Sequence, residues 1–214
     1  MVSLITNIYV GTIGLSFAAS LPSFGKSMPL HLKVFSILIG ASFLLELYVL
    51  LEAKNDAWLY NAFVLPEFIV YGWFFYRIIE LKNVKKQIRF FFWFFPILWL
   101  VSTILKYRFL ILNSSIMVVG SFFTVYLAIL YYYQLLVSDK TEKLTTIPEF
   151  WIATGLLAFY SCVMPFFGML NYLISHNMSL AERLVPVLQI VDTIMYCLFT
   201  YAFICQIKRS TRKY

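Results

Sequence analysis

The stretch FLILNSSIMVVGSFFTVYLAILYYYQLLVS (residues 109–138) contains no Asp, Glu, Lys or Arg. A second uncharged stretch covers residues 150–181. A helix that crosses the hydrocarbon core of a bilayer needs about 20 mostly apolar residues. Each stretch therefore predicts a membrane-spanning helix, and the rest of the chain repeats the pattern.

Seven apolar segments occur in the 214 residues, which predicts one all-α, polytopic transmembrane domain over residues 1–214. Hydrophobic residues make up 62% of the chain and charged residues 13%, whereas soluble domains have about 45–50% and about 25%. Lipid must cover the excess of apolar surface. The predicted helices span residues 4–21, 34–51, 57–76, 90–105, 109–137, 150–174 and 184–207.

The basic residues predict the orientation of the helices. Alternate loops divide the 17 Lys and Arg residues unequally, and one side receives only Lys54, Lys106, Arg108 and Arg183. Cytosolic loops carry the excess of Lys and Arg, so we expect the amino terminus outside and the carboxyl terminus in the cytosol. Their positions at helix ends also explain the net charge of +7 without nucleic-acid binding.

Five of these basic residues lie near the cytosolic connection between the third and fourth predicted helices. We expect them to contact anionic lipid head groups, which contribute about 1 kcal/mol per cation near the surface. The alternative is that they only set the orientation. The five are Arg77, Lys82, Lys85, Lys86 and Arg89.

Three acidic residues lie inside predicted spans: Glu46, Glu67 and Asp192. Ionisable groups in a span are costly and usually face the bundle interior. At about 1.5 Å per residue, the three lie roughly 8, 15 and 12 Å from the outer helix ends. They can converge from helices 2, 3 and 7 if the first and last helices close a seven-helix ring. No Lys or Arg lies at the same depth, so each acid is protonated, bound to a cation or reached by water.

Further polar side chains share the outer half of the spans with these acids, and two tyrosines follow Glu67 and Asp192 at helical i, i+4 spacing. The inner half is dominated by aromatic runs such as residues 90–93 and 131–133. This asymmetry predicts a polar, ligand-binding cavity that is open to the outside, and the alternative is a structural hydrogen-bond network without a ligand. The additional candidates are Asn61, Asn171, Gln189, Tyr71 and Tyr196.

The sequence provides no motif for a metal, a cofactor or a catalytic nucleophile. Cys162, Cys197 and Cys205 lie inside apolar segments, and neither His31 nor His176 has a second histidine at metal-ligand spacing. We therefore predict no metal, no cofactor and no catalytic residue. An enzyme in this chain would have to work with the three acids alone.

Three short motifs carry a resemblance to a known class of proteins. Leu45-Glu46-Leu47, Pro66-Glu67-Phe68 and PEFWIATGL (residues 148–156) resemble small seven-helix bacterial inner-membrane proteins, which are similar to the membrane sensor modules of histidine kinases. The resemblance implies a sensor or ligand-binding module in the bacterial cytoplasmic membrane that signals through its cytosolic loops. No coiled coil or kinase follows the seventh helix, so we expect a separate protein partner in the membrane or cytosol.

Two other functions stay open at this point. The chain could be a small transporter or channel component that uses its intramembrane carboxylates for protons or cations. It could also be an intramembrane enzyme that modifies lipids. A transporter needs polar residues along an inner path, and an enzyme needs a nucleophile or a metal.

Overall fold

The protein is described by a computed structural model over residues 2–25, 28–52, 57–107, 111–138 and 143–211. Within these ranges the chain forms seven α-helices and no strand, which confirms the predicted all-α class. The predicted start of the fifth helix at Phe109, together with Lys54 and Arg108, lies outside the described residues. The helices are α1 Val2–Ser20, α2 Leu30–Glu52, α3 Ala57–Ile78, α4 Lys82–Ser102, α5 Ser114–Val137, α6 Pro148–His176 and α7 Met178–Thr211.

Six of the seven helices are long and apolar enough to cross a membrane. Large apolar side chains face outward on them, and Trp93 and Leu136 are 78% and 83% exposed. Soluble proteins rarely expose large apolar patches, whereas in a bilayer such side chains contact lipid. The chain thus has the character of an integral membrane protein. The six apolar segments are Leu4–Phe24, Leu30–Glu52, Lys82–Leu105, Ser114–Val137, Pro148–His176 and Met178–Ser210.

Helix α3 is the exception because polar residues lower its hydropathy. Its 22 residues give a length of about 33 Å, enough to cross the hydrocarbon core. Asn61, Pro66 and Glu67 lie within it, and Asn61 is fully buried. The helix packs against α2, α4 and α5, so its polar side chains meet protein instead of lipid.

The helices pack as a closed ring of six, and α4 lies outside this ring. In the ring α1 packs against α2 and α7, α3 packs against α2 and α5, and α6 packs against α5 and α7. Helix α4 packs on the outer side of α3 and α5. The expected closure between the first and last helices is therefore present, but the expected ring of seven helices is wrong.

A glycine brings α3 and α5 together at the point where α4 could have entered the ring. A Cβ atom added to Gly120 would lie 2.4 Å from the ring of Phe68, closer than atoms can pack. Phe68 is buried, and its ring lies in edge-to-face contact with Phe95 of α4. The small residue thus lets α3 and α5 touch directly, and α4 covers the contact from outside.

Helices α4 and α7 begin six residues or more before their predicted starts, each for an identifiable reason, whereas α2 begins four residues early. Helix α4 begins at Lys82 instead of residue 90, because its first two turns are amphipathic and bury one apolar stripe. Helix α7 begins at Met178 instead of residue 184, because the Asn177 side chain accepts a hydrogen bond from the Leu180 amide at 3.1 Å. The buried stripe of α4 consists of Val84, Ile88, Phe91 and Phe95.

Candidate functional site

A cavity of ≈ 130 Å³ with three carboxyl groups in its wall lies inside the ring, in the half of the bundle where α3 and α7 begin and α2 ends. Four of the predicted site residues line it: Glu46, Glu67, Asp192 and Tyr196. The three acids come from α2, α3 and α7, and α1, α5 and α6 complete the wall. We call this space the carboxylate cavity.

Glu67 lies at the middle of α3 and is held by two tyrosines. Tyr160 of α6 donates a hydrogen bond to Oε1 of Glu67 at 2.9 Å. Tyr71, one turn further along α3, donates to the same oxygen at 3.0 Å. Tyr71 and Tyr160 are buried, and their rings contact each other. The two hydroxyl groups fix the Glu67 side chain against the cavity wall.

Glu46 lies nearer the end of its helix, and two tyrosine hydroxyl groups surround it. The Tyr60 hydroxyl donates to both carboxylate oxygens of Glu46, at 3.2 and 3.3 Å. The Tyr9 hydroxyl lies beside the carboxyl groups of both Glu46 and Asp192. Tyr9 is therefore the group that connects the acid of α2 with the acid of α7.

Asp192 is the least satisfied of the three acids. Its Oδ1 atom is buried and has no hydrogen-bond partner among the described residues. Buried polar atoms in proteins are hydrogen-bonded in roughly nine cases out of ten or more, and an exception calls for an explanation. Because Asp192 lines the carboxylate cavity, a molecule inside the cavity can provide the missing partner.

The charge of the site is not balanced by the protein. Asp192 interacts electrostatically with both Glu46 and Glu67, and no Lys, Arg or His of the described chain lines the cavity. An unpaired charge is costly to bury, and more so within a membrane. The cavity can therefore hold protons on its carboxyl groups, or it can accept a cation.

Four predicted site residues do not line the cavity, and each of them forms hydrogen bonds within the protein. Gln189 accepts a hydrogen bond from Thr6 at 3.2 Å, which ties α7 to α1. Asn171 donates to Ser114 at 2.9 Å, which ties α6 to α5. Tyr71 reaches the site indirectly, through its bond to Glu67.

Asn61 is the fourth, and it organises the chain around the start of α5. Its Nδ2 donates to the carbonyl of Ile111 at 2.9 Å, and its Oδ1 accepts from the amide of Asn113 at 2.8 Å. Its own carbonyl accepts from the Trp99 indole at 2.7 Å. Both polar side-chain atoms of Asn61 thus bond to backbone groups, and the side chain is fully buried and does not line the cavity.

Sequence reasoning missed Tyr9 and Tyr160, which contact the acids from α1 and α6. Tyr160 lies near the middle of its helix, as Glu67 does, so matching depth was a usable signal. With 15 tyrosines in the chain, however, depth alone could not select these two.

The half of the bundle beyond the cavity is filled by packed aromatic rings. Phe35 packs against Phe74 and Phe199, with ring centroids 5.4 and 5.0 Å apart, and all three side chains are buried. At the far end, Nε2 of His31 pairs with Oε1 of Glu149 at 2.8 Å. His31 thus joins the start of α2 to the start of α6, a role that its sequence did not suggest.

The five predicted membrane-surface residues lie at this far end. Arg77 is exposed in the last turn of α3, and the other four occupy the first two turns of α4 instead of a loop. The ammonium group of Lys85 lies 5.4 Å from the centre of the Tyr76 ring. The basic residues therefore form a helical surface at the end of the bundle opposite the carboxylate cavity.

No protein-family model, curated protein or solved structure matches this chain. The resemblance to bacterial sensor modules therefore stays a prediction from three short motifs. The geometry of the carboxylate cavity is therefore the basis for a proposed function.

Proposed function

We propose that this protein is an integral membrane ligand-binding module of the sensor type, which takes a small ligand into the carboxylate cavity. The single observation that carries the proposal is the buried Oδ1 atom of Asp192, which has no hydrogen-bond partner in the described part of the chain and lies in a cavity with two further acids. Oγ of Ser16 and Oγ of Ser121 are also buried without a hydrogen-bond partner among the described residues, but neither residue lines the cavity. A ligand inside the cavity would supply the partner that Oδ1 of Asp192 needs.

The proposed topology has seven spans, with the amino terminus outside and the carboxyl terminus in the cytosol. It rests on the excess of Lys and Arg at the end of the bundle that holds Arg77, Lys82 and Arg209. The carboxylate cavity then belongs to the outer half of the membrane. The bacterial cytoplasmic membrane is proposed on the resemblance alone.

A chain of contacts offers a route by which the cavity can influence the cytosolic end. Tyr71, which binds Glu67, lies 5.9 Å from Phe35 by ring centroids, and Phe35 contacts Phe74. Phe74 lies 6.0 Å from the ring of His31, which pairs with Glu149. A ligand that moves Tyr71 can thus repack the rings and shift the starts of α2 and α6. A protein partner that binds the cytosolic face would respond to this movement of α2 and α6.

Transport through the bundle receives less support from the same packing. The layer of Phe35, Phe74, Phe75 and Phe199 lies between the cavity and the cytosolic end, and each of these side chains is at most 1% exposed. A transported ion would need polar groups along that path. We therefore prefer a site that binds and reports over one that conducts.

The test is a screen for ligands that stabilise the purified protein in detergent. Amines, carboxylic acids, sugars and nucleosides are added singly, and thermal unfolding is followed by intrinsic fluorescence. A true ligand at 100 times its Kd should stabilise the fold by about 2.7 kcal/mol. The Glu67→Gln and Asp192→Asn variants should lose this stabilisation and still fold.

The matched control is Glu182→Gln, which removes an exposed acid near the start of α7 and leaves the cavity intact. It should respond to the ligand like the wild-type protein. If no compound of any class stabilises the wild type, or if both cavity variants bind as the control does, the proposal fails. Hydrogen exchange at residues 30–35 and 148–152 should change with the ligand, and Phe35→Leu should weaken that change.

A further inference from the structure

We infer that the ligand of the carboxylate cavity is a small organic ammonium ion. This inference rests on the proposed function and specifies the chemical class that the site recognises. It follows from the charge of the walls, their aromatic character and the spacing of the acids.

The polar groups of the cavity are of a kind that favours cations. Glu46, Glu67 and Asp192 contribute three carboxyl groups, and the lining residues within the described chain include no base. The tyrosine hydroxyl groups around Glu46 and Glu67 already donate to these acids. When Asp192 is ionised, its Oδ1 atom, which has no partner among the described residues, accepts hydrogen bonds, so a ligand that pairs with it there provides a donor. An ammonium group provides both the donor and the positive charge.

The apolar part of the wall is of a kind that binds organic cations. Eight of the sixteen lining residues are aromatic, among them Tyr9, Phe68, Tyr160 and Tyr196. An ammonium group over the face of an aromatic ring is attracted by the ring quadrupole, and aromatic cages recognise methylated ammonium groups in this way. Aromatic walls beside carboxylates therefore suit a molecule that is cationic and partly apolar.

A bare metal ion fits the same walls poorly. A metal needs several ligands within about 2.0–2.6 Å of one point. In the described residues no group of three His, Cys, Asp or Glu side chains is close enough to hold one. The cavity of ≈ 130 Å³ is also much larger than the roughly 10–15 Å³ that one water requires. A compact organic ion can bridge acids that are too far apart for a metal.

The experiment compares three probes of similar shape and different charge by isothermal titration in detergent. The cation is tert-butylammonium, tert-butanol is the neutral control and trimethylacetate is the anionic control. The tert-butylammonium ion should bind the wild-type protein through its N–H donors, and methylammonium, a smaller ammonium ion, should bind as well. Asp192→Asn should weaken binding of both ammonium ions more than about tenfold, because it removes a buried counter-charge. Glu182→Gln should leave it unchanged.

The outcomes separate this inference from the proposed function. Binding of tert-butanol or trimethylacetate that depends on Asp192 would keep the cavity as a ligand site and overturn the ammonium assignment. Equal binding of the ammonium ions to wild type and Asp192→Asn would also overturn it. If Asp192→Asn does not fold, Glu46→Gln, which removes another carboxyl group of the cavity wall, replaces it. No binding of either ammonium ion to the folded wild type would end the inference.

A second observation, independent of the first, concerns the outer groove between α4 and α5. The groove has a volume of ≈ 610 Å³, and its walls are rings such as Phe90, Phe94 and Phe122. One end carries Lys86 and Gln87, and Gln87 accepts a hydrogen bond from Tyr126 at 2.9 Å. We propose that the groove binds an acyl chain of an anionic phospholipid, with the phosphate at Lys86.

Charge and depth support this occupant over a helix of another chain. Lys86 and Arg89 are exposed on α4, and neither forms an ion pair with another described residue. They lie at the basic end of the bundle, while Phe90 and Phe94 follow one and two turns deeper. A phospholipid has the same order, a charged head above an apolar chain, and juxtamembrane cations attract anionic lipids.

Native mass spectrometry tests the groove with equal amounts of phosphatidylglycerol and phosphatidylcholine. The wild type should retain the anionic lipid preferentially, and Lys86→Gln should reduce this preference about fivefold. Val119→Trp should fill the groove and remove retention of both lipids. Lys143→Gln, at an exposed basic residue of the same end of the bundle, is the control.

If Lys86→Gln and Val119→Trp retain lipid like this control, the lipid assignment is wrong. Loss of a dimer in Val119→Trp without change in lipid would identify a second copy of the chain as the occupant.

Discussion

The two hydrogen bonds on Glu67 allow a quantitative test of the site. Tyr160 and Tyr71 both donate to Oε1, at 2.9 and 3.0 Å, and both phenol side chains are buried. Tyr160→Phe removes one donor and leaves the ring in place. A hydrogen bond between neutral groups contributes about 0.5–1.5 kcal/mol, and one to a charged group about 1.5–3 kcal/mol. Tyr160→Phe should lower the free energy of unfolding by an amount within one of these two ranges. The size of this decrease reports whether Glu67 carries a charge.

The double variant makes the test sharper, because the two donors share one acceptor. After Tyr160→Phe the Tyr71 hydroxyl still satisfies Oε1, but the double Phe variant leaves a buried carboxyl group without that partner. The cost of the double variant should therefore exceed the sum of the single costs by about 0.5 kcal/mol or more. Reversible unfolding in mixed micelles, followed by circular dichroism, measures all three values.

The control for this cycle is Tyr133→Phe on α5, where the side chain is 56% exposed. Its unfolding free energy should stay within about 0.5 kcal/mol of the wild type, as for most surface substitutions. If Tyr160→Phe were as harmless as this control, or if the double variant were strictly additive, Glu67 would not be held as described. The arrangement of the whole cavity would then be in doubt.

Two further predictions concern packing and topology. Gly120→Ala should destabilise the fold by about 1–3 kcal/mol, because the new methyl group overlaps Phe68. The control is Gly11→Ala, where no atom lies within 4 Å of the new Cβ atom, and it should be neutral in the same unfolding assay. A reporter fused after Tyr214 should be active in the cytosol, and one inserted next to Asn177 should be active outside; the reverse pattern would invert the proposed orientation.

Most of the fold could be predicted from the sequence because lipid imposes simple length and polarity rules. Uncharged stretches such as residues 150–181 predict a helix in a bilayer, because lipid offers no hydrogen-bond partner for the backbone. The start of α4 escaped this rule, since Lys82 and Arg89 end the apolar run while the helix continues. A helical stripe of Val84 and Ile88 was the signal that the hydropathy of the segment concealed.

The position of α4 outside the ring could not be predicted. Which helices touch depends on side chains that pack across helices, and the contact of Gly120 with Phe68 is not encoded in any local pattern. The sequence shows that a helix is apolar, but an apolar surface suits lipid and protein equally well. Ring membership is therefore a property of tertiary packing.

The candidate site was predictable where charge and depth coincide. Glu46, Glu67 and Asp192 stood out because acids are rare in spans, and the structure brings them to one cavity. Asn61 shares their depth but is occupied by backbone groups around Asn113. Amides, unlike acids, commonly serve as interhelical links, so depth alone does not separate the two roles.

An experimental structure of the protein in a lipid nanodisc tests the central claim most directly. We predict that Glu46, Glu67 and Asp192 face one cavity, and that density outside the protein lies within hydrogen-bond distance of Oδ1 of Asp192. The opposite result would be a dry, closed core in which Oδ1 is bonded to a protein group, or acids that face lipid. Either finding would contradict a ligand-binding role and leave the acids as structural links.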